Sequence, residues 1–484
     1  MFPMQMGGSS PLLVDVEEMV RKALDSTTTS GQALIPQVVD SFITELALQM
    51  SPFRQLIPRM PWYSGTYDKN RRTALPRARA IGDGTSAPET QSTIARFSEP
   101  LKILQSKGGV TGFMEFASQK LTDAEKLEVA GHTLAMTYEE AWNMLYGNRY
   151  ADPYQFPGLG YWCWDGDGAA SPTSYSNVIL MDGASIVTAY LDQAMAKMKQ
   201  RGVSPDPTNS AWIMSSNMLN KLSTEKAGLQ RFNDRWDIGA GFHFRTYMDI
   251  PIIETSLIQG NQAWLGGTVT SSTTTSGGFL LDSTHYRYKV TCVTLYGESL
   301  ACNSGVELDV TTGASGSNVN TITLSWTAPS GVNANQVRKY RIYRTAAAGG
   351  ANAQVLYTEI PGNIYSIDSL GTQVPVEINT WVDTGVRTSV AYDTTLKKIT
   401  GGIYAPGYFD AKYDEPSADE EDLYLISTAL TGVEGSLTQM VVGKDMSYFP
   451  LAPIMDKRWF LMIQYSTLIA ISQYQVVLAR AKFS

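Results

Sequence analysis

The chain has 484 residues, room for about three domains at ~150 residues each. Its formal net charge of −8 excludes a nucleic-acid clamp for the chain as a whole, because gripping phosphate takes an excess of Lys and Arg. Three cysteines (Cys163, Cys292, Cys302) cannot build a disulfide framework. Met1 to Val14 has neither the basic start nor the apolar core of a signal peptide, so no secretion is expected.

Residues 1–62 read as an N-terminal arm. Val14 to Leu24 has the pattern of a short helix, Ser26 to Ser30 is a polar hinge, and Val38, Val39, Phe42, Ile43 and Leu46 recur at helical spacing before Ser51-Pro52. Ile57 to Trp62 is extended. The arm is apolar enough to need a surface. Residues 63–116 read as a long two-stranded excursion. Its outgoing half carries Lys69, Arg71, Arg72, Arg77 and Arg79, and its tip, Ile81 to Pro88, consists of turn formers. Its return half runs past Phe97, Leu101 and Ile103 to Phe113 and Phe116. An isolated hairpin is marginal in water, so this one must pack on something else; the alternative is a disordered basic loop.

Residues 117–180 contain the most regular stretch, Thr122 to Gly147, predicted to be one helix roughly 36 Å long. Thr122 and Glu125 make a capping box, and Gly147 is placed to end the helix in the left-handed conformation. Leu127, Ala130, Leu134, Tyr138, Ala141, Trp142 and Leu145 fall on one face. Glu125, Lys126, Glu128, Glu139 and Glu140 mark the wetter sides. Tyr161 to Trp164 is an aromatic knot, and Asp165-Gly-Asp-Gly168 opens like a calcium loop but lacks the later oxygen ligands. In residues 181–265, Ala184 to Lys199 is amphipathic, Ala211 to Met214 is a buried strand, a short helix runs through Leu222, and Met248 to Ile253 is a strand. This alternation predicts a layered α/β body.

The composition changes over residues 266–395. Gly266 to Gly278 is nearly all Gly, Ser and Thr and reads as a flexible linker. Short strands follow: Tyr286–Val293, Thr321–Trp326, Lys339–Tyr343 and Asn379–Val382, the pattern of an all-β immunoglobulin-like sandwich. Tyr296-Gly-Glu-Ser299, Leu324-Ser-Trp326 and Tyr340-Arg-Ile-Tyr-Arg344 resemble fibronectin type III modules, although the strand with Tyr296-Gly-Glu-Ser299, usually last, comes first. Cys292 and Cys302 can pair across strands, but free thiols are expected. The segment is expected to fold separately, point outward and be dispensable for the rest. Residues 396–484 resume the pattern seen before the insertion. Asp414 to Asp422 is an acidic loop, and Leu423–Ile426, Gln439–Val442, Trp459–Ile463 and Tyr474–Leu478 are strands. Gln464, Gln473 and Gln475 argue against a membrane span.

No catalytic, cofactor or metal constellation emerges. His132, His243 and His285 lack ligand spacing, no phosphate-binding glycine loop is complete, and Glu420 and Glu421 read as solvated loop carboxylates. No enzyme and no cofactor are therefore expected.

The order of parts resembles a tailed-bacteriophage major capsid protein of the Hong Kong 97 fold. Leu34-Ile-Pro36 and Ser51 to Leu56 look like the passage from N-terminal arm to extended loop. Gly84 to Glu89 and the strand to Phe116 resemble that loop, and Thr122 to Gly147 is similar to the spine helix of the peripheral domain. Ala184 to Gly202, Ala211 to Leu222 and Asp249 to Ile252 are similar to the axial domain. The resemblance covers roughly 30–265 and 396–484, leaving the β segment as an insertion. It implies an α+β shell subunit forming pentamers and hexamers of an icosahedral head in a virion assembled in the host cytoplasm. The head would enclose double-stranded DNA without sequence-specific contact, work with a portal and any scaffold or decoration protein, and need no membrane. It also implies that the 63–116 loop lies on a neighbouring subunit. Lys69, Arg71, Arg72, Arg77 and Arg79 would there meet carboxylates such as Glu128, Glu139 or Glu140 of a neighbour's spine helix. A bacterial nanocompartment shell of the same fold and a surface adhesin using the β module are the alternative readings.

Overall fold

The computed structural model describes residues 56–74, 76–86, 89–118, 124–149, 152–165, 177–181, 183–200, 203–227, 235–237, 243–258, 268–295, 297–327, 337–367, 373–385, 391–393, 398–400, 419–431, 435–452, 456–470 and 475–483. The readings for residues 1–55, Thr122, the calcium-like loop beyond Asp165, and 401–418 lie outside them. The fold is mixed α and β, and mostly sheet.

Two sheets build the body. A seven-stranded sheet runs in the order Val178–Leu180, Val476–Lys482, Glu420–Ser427, Ser210–Met214, Ile250–Glu254, His243–Tyr247, Arg235–Asp237. Helices Thr188–Gln200 and Ser216–Ala227 pack on it through Leu191, Ala194, Met198, Met218 and Leu222, against Trp212, Leu423, Leu425 and Leu478. A four-stranded sheet runs in the order Arg59–Pro61, Thr438–Pro450, Lys457–Ala470, Lys102–Thr111. The long helix Ala124–Tyr146 lies on one of its faces, where Met136 meets Phe460 and Met462.

That helix is half exposed over its first three turns and almost wholly enclosed from Glu140 onward. Met136, Asn143 and Met144 are buried outside the expected stripe, because the second half is surrounded by both body sheets and by the β segment. Gly147 ends the helix, but its φ lies outside the left-handed region. Its role is close approach: a Cβ there would stand 2.1 Å from Phe156 O.

Several sequence expectations are corrected. Phe113 to Phe116 belong to a short helix, Gly112–Ser118. Asp456 accepts from Gly112 N–H through its backbone carbonyl and from Phe113 N–H through its carboxylate, and Thr111 Oγ1 accepts from Met114 N–H, so three of the four orphan donors of the first turn are met. The expected linker at 266–278 contains the strand Val269–Thr274, which pairs antiparallel with Thr321–Trp326; its β-branched threonines suit an edge strand. Met248 and Asp249, read as strand, are the two-residue turn of a hairpin, both at positive φ. Glu420 and Glu421 stand buried in a strand instead of a solvated loop.

The described residues between 268 and 400 form two facing sheets around their own core, in which Tyr288, Val290, Cys292, Tyr340 and Ile342 meet Ile322, Leu324 and Trp381. Cys292 and Cys302 are free thiols, raised by burial to about 11 and about 12. The order of parts is unusual in one respect: the strand His285–Thr294 has faces of different character. Tyr288, Val290 and Cys292 face the module core, whereas Val293, with Tyr343 and Leu356 from neighbouring strands, joins the body core around the long helix. The module is therefore seated on the body by the part of a sheet face that carries Val293, Tyr343 and Leu356.

Candidate assembly surfaces

The hairpin pairs Thr66–Ala74 with Thr93–Pro100, and these two strands join no other sheet among the described residues. Its root is fixed. Tyr67, packed edge-on against Trp62 at 4.9 Å, covers Val441 and Ile469, and the Tyr67 hydroxyl accepts from Gln439. Glu99 is buried beside Pro100 and takes an ion pair from Arg149, which follows the long helix. Lys102 Nζ donates to Pro153 O at 2.6 Å. Beyond the root, the described side chains of the hairpin form no core. Its strands are joined by a cross-strand Arg96–Asp68 pair at 2.8 Å; the Arg96 hydrogen bond holds the Asp68 carboxyl below its ordinary value.

The predicted basic residues divide accordingly. Lys69, Arg71 and Arg72 lie on the outgoing strand opposite Phe97, Ala95 and Ile94, and their side chains fall outside the described set. Arg77 and Arg79 are exposed beyond the paired strands. Thr90 Oγ1 donates to Arg77 O at 3.2 Å, and Gly84, at positive φ, closes the turn at the tip. Large apolar side chains flank the route: Tyr63, Ile94, Phe113, Met114 and Phe116 are exposed.

The three predicted acceptors on the long helix are not equivalent. Glu140, expected on a wet side, is fully buried: both its oxygens accept from Arg59 of the same chain, at 2.6 and 2.7 Å, and Gln464 donates to it. The sequence misplaced it because helical spacing alone does not show that a second element covers the polar side. Glu139 is half-buried and pairs with Arg338 of the β module at 2.7 Å. Glu128 stays largely exposed, 3.6 Å from His132, whose ring also contacts Ser106 and packs edge-on against Phe460.

The junction between module and body holds the densest charge. Glu298 accepts from Arg341 at 2.6 Å, from Arg480 of the body at 2.8 Å, from Tyr343 and from Thr291. Burial pushes the Glu298 carboxyl up, but the two guanidinium groups outweigh it and hold it at about 2. Glu359 pairs with Arg341 and Lys339, and Asn148 donates to it at 3.0 Å. Lys339 also donates to Tyr146 O, the last residue of the long helix, while burial draws its ammonium down to about 8 against the pull of Glu359. Trp142 Nε1 donates to Thr294 O at 3.0 Å. The signal for this junction was present in Lys339-Tyr-Arg-Ile-Tyr343, whose polar members alternate with core residues; the missing knowledge was that the polar face is buried too.

Among the described residues, no group of three or more His, Cys, Asp or Glu could hold a metal ion, and no helix is long and apolar enough to cross a membrane. No protein-family model and no curated protein matches the chain. Among solved structures, it is similar to the capsid of the native GTA particle, with 10% identity, a TM-score of 0.47, and 94% of this chain and 99% of that one covered. It is also similar to the capsid of the cyanophage P-SCSP1u, with 9% identity, a TM-score of 0.42, and 95% and 96% covered. A third is the holo-SrpI encapsulin complex from Synechococcus elongatus, with 9% identity, a TM-score of 0.41, and 93% and 94% covered.

Proposed function

We propose that this chain is a non-enzymatic shell subunit that assembles with copies of itself into a closed particle: the major capsid protein of a tailed phage, built on the Hong Kong 97 plan with an immunoglobulin-like insertion. The observation that carries the reading is the hairpin Thr66–Ala74/Thr93–Pro100. Its root is stapled into the body, the described side chains of its outer part form no core, and the stretch leading to its tip presents Arg77 and Arg79 to solvent. An arm so built gains its stability from a surface that another subunit supplies, and repetition multiplies modest contacts into a strong lattice. With Glu139 and Glu140 engaged within their own chain, Glu128 is the helix carboxylate left for a neighbour's arginines. On this reading the shell resides in the virion, encloses double-stranded DNA without gripping it, and works with a portal and any scaffold or decoration proteins.

The test is electron microscopy of purified protein with Arg77→Glu/Arg79→Glu alongside. Uniform polyhedra from the parent, and soluble, normally melting subunits that fail to close in the variant, are the expected result. DNA-filled polyhedra in infected cells support the phage shell. Protein-filled shells would assign the chain to a nanocompartment instead. Monomers under all conditions would remove the shell reading.

A further inference from the structure

The four-stranded sheet has a second face, opposite the long helix. The hairpin root covers its near end, where Tyr67 and Leu101 lie over Val441 and Ile469. The far end is open. Alternation along Lys457–Ala470 puts Lys457, Trp459 and Leu461 on this face, and the strand register sets Lys107 and Phe449 on either side of Leu461. Each lysine here rests on an aromatic ring. Lys457 and Lys107 Nζ stand 4.0 and 4.7 Å from the Trp459 ring centre, and Lys444 Nζ stands 3.9 Å from that of Phe449. Ile103 extends the apolar strip and is 62% exposed. The strip carries no carboxylate among the described residues: Asp445 points toward Arg59, and Asp456 is occupied with Phe113 N–H at the sheet's end. Three cations thus border an apolar, aromatic strip that nothing described covers, a surface that attracts acidic amphipathic chain.

The sequence supplies such a chain, tethered to the same sheet. Arg59–Pro61 is the sheet's edge strand, so the chain that precedes it is joined covalently to this sheet. Thirty residues reach about 100 Å when extended, far more than the sheet's width. Leu12, Leu13, Val16, Met19 and Val20 recur at helical spacing, with Asp15 and Glu17 on the two flanks of that stripe and Glu18 beyond Asp15; counting Asp25, Arg21 and Lys22, residues 12–25 carry four carboxylates against two cations. The hairpin of another copy is the poorer occupant, since Lys69, Arg71, Arg72, Arg77 and Arg79 would meet like charges. We propose that the N-terminal segment 12–25 docks on the open half of this sheet face, its apolar stripe over Trp459 and Leu461 and its carboxylates on Lys107, Lys444 and Lys457. The contact goes beyond the shell reading, because it does not require a closed particle.

The test uses the full chain as soluble subunits. Zero-length carbodiimide coupling followed by mass spectrometry is expected to join Lys107, Lys444 or Lys457 to Asp15, Glu17 or Glu18. Lys107→Glu/Lys457→Glu should lower that yield and speed amide exchange across 12–25 by about tenfold. Adding Asp15→Lys/Glu17→Lys should restore both protection and coupling, now with amine and carboxylate exchanged. Since the lysines are on the surface, melting should not change; should the reversed variant misfold, the parent's crosslinks decide alone. Coupling of these lysines to another acidic stretch, unchanged exchange in the variants, or protection of Lys107 and Lys457 from acetylation by a DNA oligonucleotide in place of the segment would each overturn the assignment.

Discussion

Arg480 shows how one residue joins two parts of the molecule. It sits in the strand Val476–Lys482 with φ of 54°, a conformation that costs a non-glycine residue about 1–2 kcal/mol. Asp422 Oδ1 accepts its N–H at 2.7 Å, across from the register shift between Glu421 and Leu423. The irregularity brings its side chain to Glu298 and Tyr343. Removing one partner of a buried pair leaves the other charge uncompensated, so Arg480→Met is expected to lower unfolding stability by ~3–5 kcal/mol in denaturant titrations. Glu298 gives the pH signature. Its carboxyl is held at about 2 against an ordinary 4.5, so its contribution is full above pH 4.5 and is lost as pH falls toward 2. By linkage that contribution is on the order of 3 kcal/mol. Glu298→Gln should therefore be less stable than the parent at pH 7 and should show a shallower loss of stability between pH 4.5 and 2, read by thermal melts across that window.

At the scale of elements, the long helix was the most legible part of the sequence and also the place where legibility ran out. Its existence followed from spacing, and Ala124–Tyr146 lies within the expected span. Its environment did not follow, because Glu140 and Asn143 are polar residues enclosed by elements far away in sequence. The same limit applies to the strand Val269–Thr274: composition suggested a linker, and pairing with Thr321–Trp326 makes it a strand. The hairpin's basic residues were legible as a group, but whether they meet Glu128 is a property of the assembly and cannot be read from one chain. Gly147 is testable by itself. Gly147→Ala puts a methyl 2.1 Å from Phe156 O, backbone that cannot step aside cheaply. The expected loss is about 2–4 kcal/mol, seen as a lowered melting temperature with secondary structure retained at 25 °C.

At the scale of the whole molecule, the β module is not a knob on a stalk. Excising residues 268–400 would uncover Trp142, take Glu298 and Tyr343 away from Arg480, and take Lys339 away from the Tyr146 carbonyl. A Gly-Ser replacement is therefore expected to aggregate when expressed, in contrast to the dispensable module that the strand pattern suggested. A soluble, normally melting deletion would show that the junction is replaceable by water. The sheet orders also dictate when the body can form during synthesis. The seven-stranded sheet places Val476–Lys482 and Glu420–Ser427 between Val178–Leu180 and Ser210–Met214, and the four-stranded sheet places Thr438–Ala470 between Arg59–Pro61 and Lys102–Thr111. The four-stranded sheet cannot close until Lys457–Ala470 has left the ribosome, nor the seven-stranded one until Val476–Lys482 has, which at ~5–20 residues per second comes on the order of half a minute or more after synthesis starts. Throughout that wait both body sheets of the nascent chain are incomplete. On the proposed shell reading, this topology would separate in time the making of each subunit from its joining to others.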